Sequence, residues 1–187
     1  SNTCAVLLTS IAILLGASSL AEASIAGEIV NRTLVTTVKR SGTGLQQPAL
    51  PDMDLFGGDA VITEDRGWAA ILLSDETMVQ VNRNTVFVLK EVAPTAQWFK
   101  PAGKSPPKRS SPGRSFYRLD RGEAWFRNKN RDMLIHIETP TVTAGIRGTE
   151  INMTVAPDNV VTIAVIEGEA VAENRFGGIT GKAGELI

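Results

Sequence analysis

Cysteine and histidine are nearly absent from this sequence, which contains one of each in 187 residues. A zinc site built from thiolate and imidazole ligands therefore has too few ligands within one chain, and a disulfide framework is excluded as well. Cations are not in surplus either, since 19 Lys+Arg face 20 Asp+Glu, and neutralising a nucleic acid backbone needs such a surplus. We expect no metal centre, no cofactor and no nucleic-acid partner.

Charge is also absent from the first 21 residues, where an apolar run over residues 4–15 is followed by small residues. This pattern is typical of a secretory signal peptide cleaved after the motif Ala21-Glu22-Ala23. A membrane span needs about 20 apolar residues, so an uncleaved anchor is the weaker alternative. The basic start of such a leader is missing. We predict a signal peptide over residues 1–23 and secretion to the periplasm or the cell surface.

The remaining residues, 24–187, are expected to form one domain. Apolar residues recur there with period two, as where Ile151, Met153 and Val155 alternate with polar neighbours, and no helical periodicity exceeds two turns. The runs 69–73, 86–89 and 160–166 are apolar on both faces, which predicts strands inside a sheet. The pattern predicts an all-β fold. A missing downstream domain stays open, because the sequence ends on apolar residues without a turn.

One dipeptide recurs at the expected ends of strands. Glycine followed by glutamate and an apolar residue occurs four times at irregular spacing, which favours a recurrent corner over a counted repeat. At each corner we expect the glycine to adopt positive φ and the glutamate to face solvent. The four glycines are Gly27, Gly122, Gly168 and Gly184.

Residues 93–115 differ from the rest of the chain. They hold five of the nine prolines, five basic residues and no acid, so they cannot form a central strand. We predict a mobile surface loop inserted between two strands. It is either a solvated excursion or a docking arm for an acidic surface or a lipid headgroup layer. The candidate contact residues are Trp98, Phe99, Lys100, Lys104, Lys108 and Arg109.

Catalytic patterns are weak. The single histidine, His136, has no cysteine partner and no nucleophile elbow to serve. Four glutamates, Glu138, Glu150, Glu167 and Glu169, could pair across strands for acid and base catalysis on a sugar. The scarcity of aromatic residues, 5% of the chain, argues against a sugar-stacking cleft. A carboxylate-based hydrolase is therefore only a minor alternative.

Residues 135–150, IHIETPTVTAGIRGTE, are the most informative stretch. A proline ends one extended run, two glycines permit tight backbone geometry, and Arg147 and Glu150 are close enough to tie a corner by a charge-assisted hydrogen bond. This stretch closely resembles the FecR domain. The matching residues, which we expect to be mainly structural, are Thr139, Pro140, Gly145, Arg147, Gly148, Thr149 and Glu150.

The resemblance covers the chain from about residue 27 to the end. Gly58-Asp59 is similar to the family's early Gly-Asp segment, and residues 119–124 are similar to its short Leu-x-x-Gly strand. Residues 73–77 are similar to its Asp-Gly-Ser/Thr turn, except that Glu76 replaces the turn glycine, which should weaken that corner. The Pro-rich insertion is the second departure.

The resemblance implies a right-handed β-helix-like solenoid outside the inner membrane. The best-known FecR proteins sense an outer-membrane siderophore transporter and control a sigma factor through a cytoplasmic N-terminal region. In this sequence the predicted leader takes the place of that cytoplasmic region, so we do not carry over the anti-sigma role. The resemblance implies a non-enzymatic sensor module that binds an envelope protein through strand edges or the arm around Trp98. Membrane contact is expected only through the leader or weakly through the basic loop, and a structural spacer or adhesin module is the alternative.

Overall fold

The computed structural model describes residues 24–95, 98 and 112–187 of the chain. These residues form fifteen β-strands and no helix, which confirms the all-β prediction, and no segment among them is a membrane-spanning helix. The strands are β1 Ile25–Arg32, β2 Thr36–Lys39, β3 Gln46–Pro48, β4 Asp54–Phe56, β5 Ala60–Thr63, β6 Ala69–Leu73, β7 Met78–Val81, β8 Val86–Glu91, β9 Gly113–Asn128, β10 Met133–Glu138, β11 Thr143–Ile146, β12 Thr149–Val155, β13 Val161–Glu167, β14 Glu169–Asn174 and β15 Gly177–Lys182.

The strands form two sheets that share β9. Sheet I has the order β13-β12-β9-β7-β6-β1-β4, and sheet II has the order β15-β14-β11-β10-β9-β8-β5-β2-β3. The first part of β9 pairs with β8 and β10 in sheet II, whereas its last seven residues pair with β7 and β12 in sheet I. Gly122, with φ of 90°, lies where β9 changes sheet.

The strand directions do not fit the predicted right-handed β-helix-like solenoid. Successive coils of a β-helix pair in parallel, but here only β9 and β10 pair in parallel and all other pairs of strands are antiparallel. The reason is local: tight connections reverse the chain within one sheet, as between β6 and β7 or between β14 and β15. We correct the solenoid prediction to two sheets joined by bent strands.

Alternate side chains from both sheets fill the core between them. The ring of Phe87 on β8 lies 5.8 Å from that of Phe126 in sheet I and 5.7 Å from that of Tyr117. The predicted internal strands β6 and β8 do have neighbours on both sides. The prediction that 160–166 is buried on both faces is wrong, because Val160 and Ile166 are 57% and 50% exposed.

Three of the four predicted glycine corners are confirmed. Gly122, Gly168 and Gly184 have φ of 90°, 83° and 87°, and at each one the chain passes from one sheet to the other. Gly27 is the exception, since its φ is not in the left-handed region. There the glycine allows β6 to approach closely, because a Cβ at position 27 would lie 2.7 Å from the carbonyl oxygen of Leu72.

A buried polar cluster lies beneath the turn between β6 and β7. The hydroxyl of Tyr117 donates to Oδ2 of Asp75, and the backbone N–H of Thr77 donates to Oδ1 of Asp75 at 2.9 Å. Asn128 donates from Nδ2 to the hydroxyl of Thr77 at 2.8 Å. All four residues are fully buried, so this cluster fixes the turn against β9.

Candidate functional site

The outer face of sheet II carries a groove of about 330 Å³ over β10, β11 and β14. Strand register places His136, Gly145 and Val171 side by side across its floor. The walls and ends are formed by Leu134, Thr143, Ile146, Arg147, Glu169 and Glu173. The groove therefore lies over the part of the family motif that contains Gly145 and Arg147.

Gly145 opens this groove without being needed for packing. A Cβ built at position 145 would have the carbonyl oxygen of Val171, at 4.0 Å, as its nearest neighbour, and the φ of Gly145 is not in the left-handed region. An alanine would therefore fit the strand. A glycine inside a strand weakens the strand and often marks the close approach of a ligand or another chain. The missing side chain leaves space between His136 and Val171.

His136 forms an apolar part of the groove floor. Its ring stacks on Phe116 of the neighbouring strand, with centroids 4.9 Å apart and an interplanar angle of 9°. Partial burial lowers the pKa of His136, and repulsion from Arg114 lowers it further, whereas Glu138 and Glu173 act in the opposite direction. The imidazole is therefore neutral at pH 7, which suits an apolar ligand group.

The predicted bond between Arg147 and Glu150 is wrong. Arg147 donates from Nε to the backbone carbonyl of Arg131, while Glu150 accepts from the indole of Trp125 at 3.2 Å and lies 3.7 Å from the Lys129 ammonium. The left-handed Gly148, with φ of 62°, separates the two side chains, because Arg147 directly follows β11 of sheet II and Glu150 lies on β12 of sheet I.

The other motif residues shape the turns around the groove. The hydroxyl of Thr139 donates to the carbonyl of Val142 at 2.8 Å in the connection from β10 to β11, where Pro140 is exposed. The buried hydroxyl of Thr149 lies 3.0 Å from the carbonyl of Glu169 and so joins two corners. The sequence alone did not separate these turn residues from Gly145 and Arg147, which face the groove.

The predicted docking arm falls mainly on residues that the structure leaves undescribed. The candidates Phe99, Lys100, Lys104, Lys108 and Arg109 lie outside the described residues, as do the leader and its cleavage residues Ala21 and Ala23. Trp98 is partly buried, and its backbone N–H donates to the carbonyl of Thr95 at 3.3 Å. The described ends of the insertion are anchored, since Thr95 donates to Ser74 and Gly113 donates to Asp132.

The two sheets have four edges, formed by β4, β13, β3 and β15, and the edge formed by β15 is the most open to pairing with another strand. In sheet I, β4 has only three residues, and β13 is hydrogen-bonded along its outer side by residues 184–187. In sheet II, β3 has three residues and ends in Pro48. The opposite edge, β15, has six residues of which five are exposed, and it contains neither proline nor a bulge.

Apolar side chains accompany this edge. Ile179 on β15 is 56% exposed, and Phe176 in the preceding turn is 82% exposed, with the guanidinium of Arg175 lying 4.6 Å from its ring centroid. Proteins usually protect a flat edge by shortening, proline, a bulge, charged side chains or cover. Within residues 24–95, 98 and 112–187, β15 has such protection only at its last residue, Lys182, whose backbone N–H donates to the Glu185 carboxylate at 2.7 Å. Its first five residues have none, and no local pattern in the sequence indicates this edge.

The four candidate catalytic glutamates do not form an acid–base site. Glu150 and Glu167 are neighbours across β12 and β13, but Lys129 lies between them and contacts both. The hydrogen bond and charge of Lys129 lower the pKa of Glu167, whereas a general acid needs a raised pKa. Glu138 is bound to Lys90 at 2.8 Å, and Glu169 lies on the other sheet from Glu167.

Comparisons with known proteins agree with this description. No curated protein matches the chain significantly. Two crystal structures of a "putative anti-sigma factor" from Parabacteroides distasonis are similar, with 15% sequence identity and a TM-score of 0.53 in both cases. The match covers 68% of this chain and 53% of that one, so the chain spans about half the length of its structural relative. At this identity the likeness shows a shared fold.

The family is shown by a sequence comparison. The family model described as FecR protein matches residues 59–171, which is more than half of the chain and includes the motif over residues 139–150. The match leaves out residues 27–58 and 172–187, to which the resemblance in the sequence had been extended. The chain belongs to the FecR family.

Proposed function

We propose that this chain is a non-enzymatic, extracytoplasmic module of a signalling system and that it binds a protein partner of the cell envelope. Membership of the FecR family and the fold shared with an anti-sigma-like protein support a signalling role. The predicted leader over residues 1–23 supports export. The anti-sigma function itself is not proposed, because a likeness at 15% identity supports a shared fold and not a shared role.

The exposed edge of β15 over residues 177–181 is the observation that carries this proposal. An edge strand offers a row of backbone N–H and C=O groups that an extended segment of another protein can join as a further strand. Backbone hydrogen bonds then supply affinity, and side chains such as Ile179 and Phe176 supply specificity. A signalling module benefits from such an edge because the partner needs only an extended segment to be recognised.

A pair of matched substitutions tests the edge. Ile179 on β15 and Leu45 in the turn after β2 are 56% and 58% exposed, so Ile179→Lys and Leu45→Lys make the same change at equally exposed positions. A lysine on an open edge is a natural guard against strand addition. Immobilised protein with Ile179→Lys should lose an envelope partner that the parent protein and Leu45→Lys both capture.

The same experiment separates the alternatives. Equal capture by the two lysine variants would exclude β15 as the binding edge, and a parent protein that captures no envelope protein would favour the spacer or adhesin role. Deletion of residues 96–111, which keeps the anchored Thr95 and Gly113, tests the docking arm in parallel. Unchanged capture would remove the arm from the proposal.

A further inference from the structure

Two arginines meet at the corner between β11 and β12. Arg147 donates from Nε to the backbone carbonyl of Arg131, which joins this corner to the turn before β10. The side chain of Arg131 lies against Gly148, since a Cβ at position 148 would be 2.8 Å from Cγ and 3.5 Å from Nε of Arg131. The glycine therefore provides the space in which the Arg131 side chain lies beside Arg147.

Neither guanidinium has a carboxylate partner among the described residues. Both arginines are exposed, and two nearby acids are already engaged, Glu150 by Arg127 and Lys129 and Glu167 by Lys129. A third acid, Glu169 of β14, lies next to Arg147 in the strand register but within 4 Å of neither guanidinium. Two adjacent cations repel each other unless an anion lies between them. The planar, forked guanidinium group is suited to a carboxylate, which it can bind through two parallel hydrogen bonds.

The arginine corner adjoins the groove over Gly145, because Arg147 lines one end of it. The surface beside Arg147 is apolar, with Leu134 in the wall and the neutral ring of His136 and Val171 in the floor. At the far end, opposite Thr143, Glu173 of β14 disfavours an anion. Glu169 of β14 lies beside Arg147, so the two arginines and this carboxylate leave one net positive charge at the arginine end. The site thus combines one apolar slot with one cationic end.

We propose that this site binds a protein segment in which an aromatic or aliphatic side chain enters the groove and a neighbouring carboxylate is held by Arg131 and Arg147. This inference rests on the proposed protein-binding function and names the chemistry of the partner. An anionic membrane is the less suitable occupant, since lipid-binding surfaces carry clusters of about four to eight cations and only two are uncommitted here. A groove of about 330 Å³ also matches side chains better than a lipid surface.

The single histidine of the chain provides a direct readout, because the ring resonances of His136 report on the groove floor without overlap. The probes are two acetylated and amidated peptides, Ala-Phe-Glu-Ala and Ala-Phe-Gln-Ala, titrated into the protein to millimolar concentration. The glutamate peptide should shift the His136 resonances saturably. The glutamine peptide should bind about tenfold more weakly, since it cannot form the charge-assisted bonds.

Substitutions locate the carboxylate. Arg131→Gln removes a side chain that makes no hydrogen bond within the described part of the chain, so the fold should be kept, as a melting curve will verify. This substitution should weaken binding of the glutamate peptide about tenfold and leave binding of the glutamine peptide unchanged. Arg147→Lys keeps the positive charge but removes the forked guanidinium group, so it should also weaken binding of the glutamate peptide. Arg83→Gln makes the same charge change away from the corner and should have no effect.

Three results would overturn the inference: equal affinity for both peptides, an equal effect of Arg83→Gln, or no His136 shift with either peptide. Binding to anionic phosphatidylglycerol vesicles that requires Arg131, without peptide binding, would assign a lipid ligand and would also overturn it. If the peptides fail while Ile179→Lys still abolishes capture of the envelope partner, the proposed function stands and only this site is rejected.

Discussion

The hydroxyl of Tyr117 is a fully buried polar group that can be removed without changing the shape of the core. Tyr117→Phe takes away the donor to Oδ2 of Asp75, a fully buried carboxylate. Leaving such a group without one of its partners costs about 1–3 kcal/mol. We expect the free energy of unfolding in urea at pH 7 to fall by that amount. An unchanged value would mean that water replaces the hydroxyl.

The same side chain makes stability depend on alkaline pH. Burial raises the pKa of Tyr117 well above its usual value of about 10, and the charge of Asp75 raises it further. Above pH 10 the unfolded chain loses this proton while the folded chain keeps it, so the free energy of unfolding falls as pH rises, by up to about 1.4 kcal/mol per pH unit. The stability difference between the parent and Tyr117→Phe should therefore shrink above pH 10.

This titration can be observed directly because Tyr117 is the only tyrosine in the chain. Ultraviolet absorbance of tyrosinate should appear only as the protein unfolds in alkali, and at about pH 10 in urea. Absorbance that rises at pH 10 in the folded protein would show that the hydroxyl is accessible and that the polar cluster is not closed.

Glu76 is strained by its backbone conformation. Its φ of 68° in the turn between β6 and β7 is left-handed, which costs a residue with a Cβ about 1–2 kcal/mol. Glu76→Gly should remove this strain, although glycine also raises the conformational entropy of the unfolded chain, which offsets part of the gain. We expect a net rise in Tm of about 2–4 °C. The control Glu91→Gly, at an exposed strand residue of β8, should lower Tm.

At the scale of strands, two glycines in the sheet should respond oppositely to alanine. Gly122 has φ of 90°, and a Cβ there would lie 2.6 Å from Cα of Thr85. Gly122→Ala should therefore destabilise the protein by more than about 2 kcal/mol, because the chain must shift where β9 changes sheet. Gly145 has normal φ and open space, so Gly145→Ala should be neutral or stabilising by up to about 1 kcal/mol.

Urea unfolding of the two alanine variants checks this contrast. A large loss for Gly145→Ala would mean that the groove is a packing requirement and not a binding feature. A small loss for Gly122→Ala would mean that β9 can change sheet without a left-handed residue.

The elements show which features a sequence can predict. The corners at Gly122, Gly168 and Gly184 were predicted because a turn depends on the residues within it. The hydrogen-bond partner of Arg147 was not predicted correctly, since this partner depends on which strands become neighbours. Period-two alternation is the same in parallel and antiparallel sheets, so it indicated strands but could not exclude a solenoid. The open edge of β15 follows from the order of strands, which no local pattern contains.

At the scale of the whole molecule, the shared strand β9 couples the two sheets. Its sixteen residues pair with β8 and β10 in sheet II and with β7 and β12 in sheet I, so neither sheet keeps its central strand when the other is lost. We expect a single cooperative unfolding transition.

Two reporters on opposite sheets check this expectation. The His136 ring lies on sheet II, and the indole N–H of Trp125, which donates to Glu150 at 3.2 Å, lies on sheet I. In a urea titration followed by NMR, the native resonances of both groups should disappear with the same midpoint. Loss of the His136 signal while the Trp125 signal remains would show that sheet II opens alone. Sheet II carries both the groove and β15, so separate opening of sheet II would mean that both proposed binding surfaces can unfold locally. If the two signals disappear together, both surfaces belong to the cooperatively folded structure.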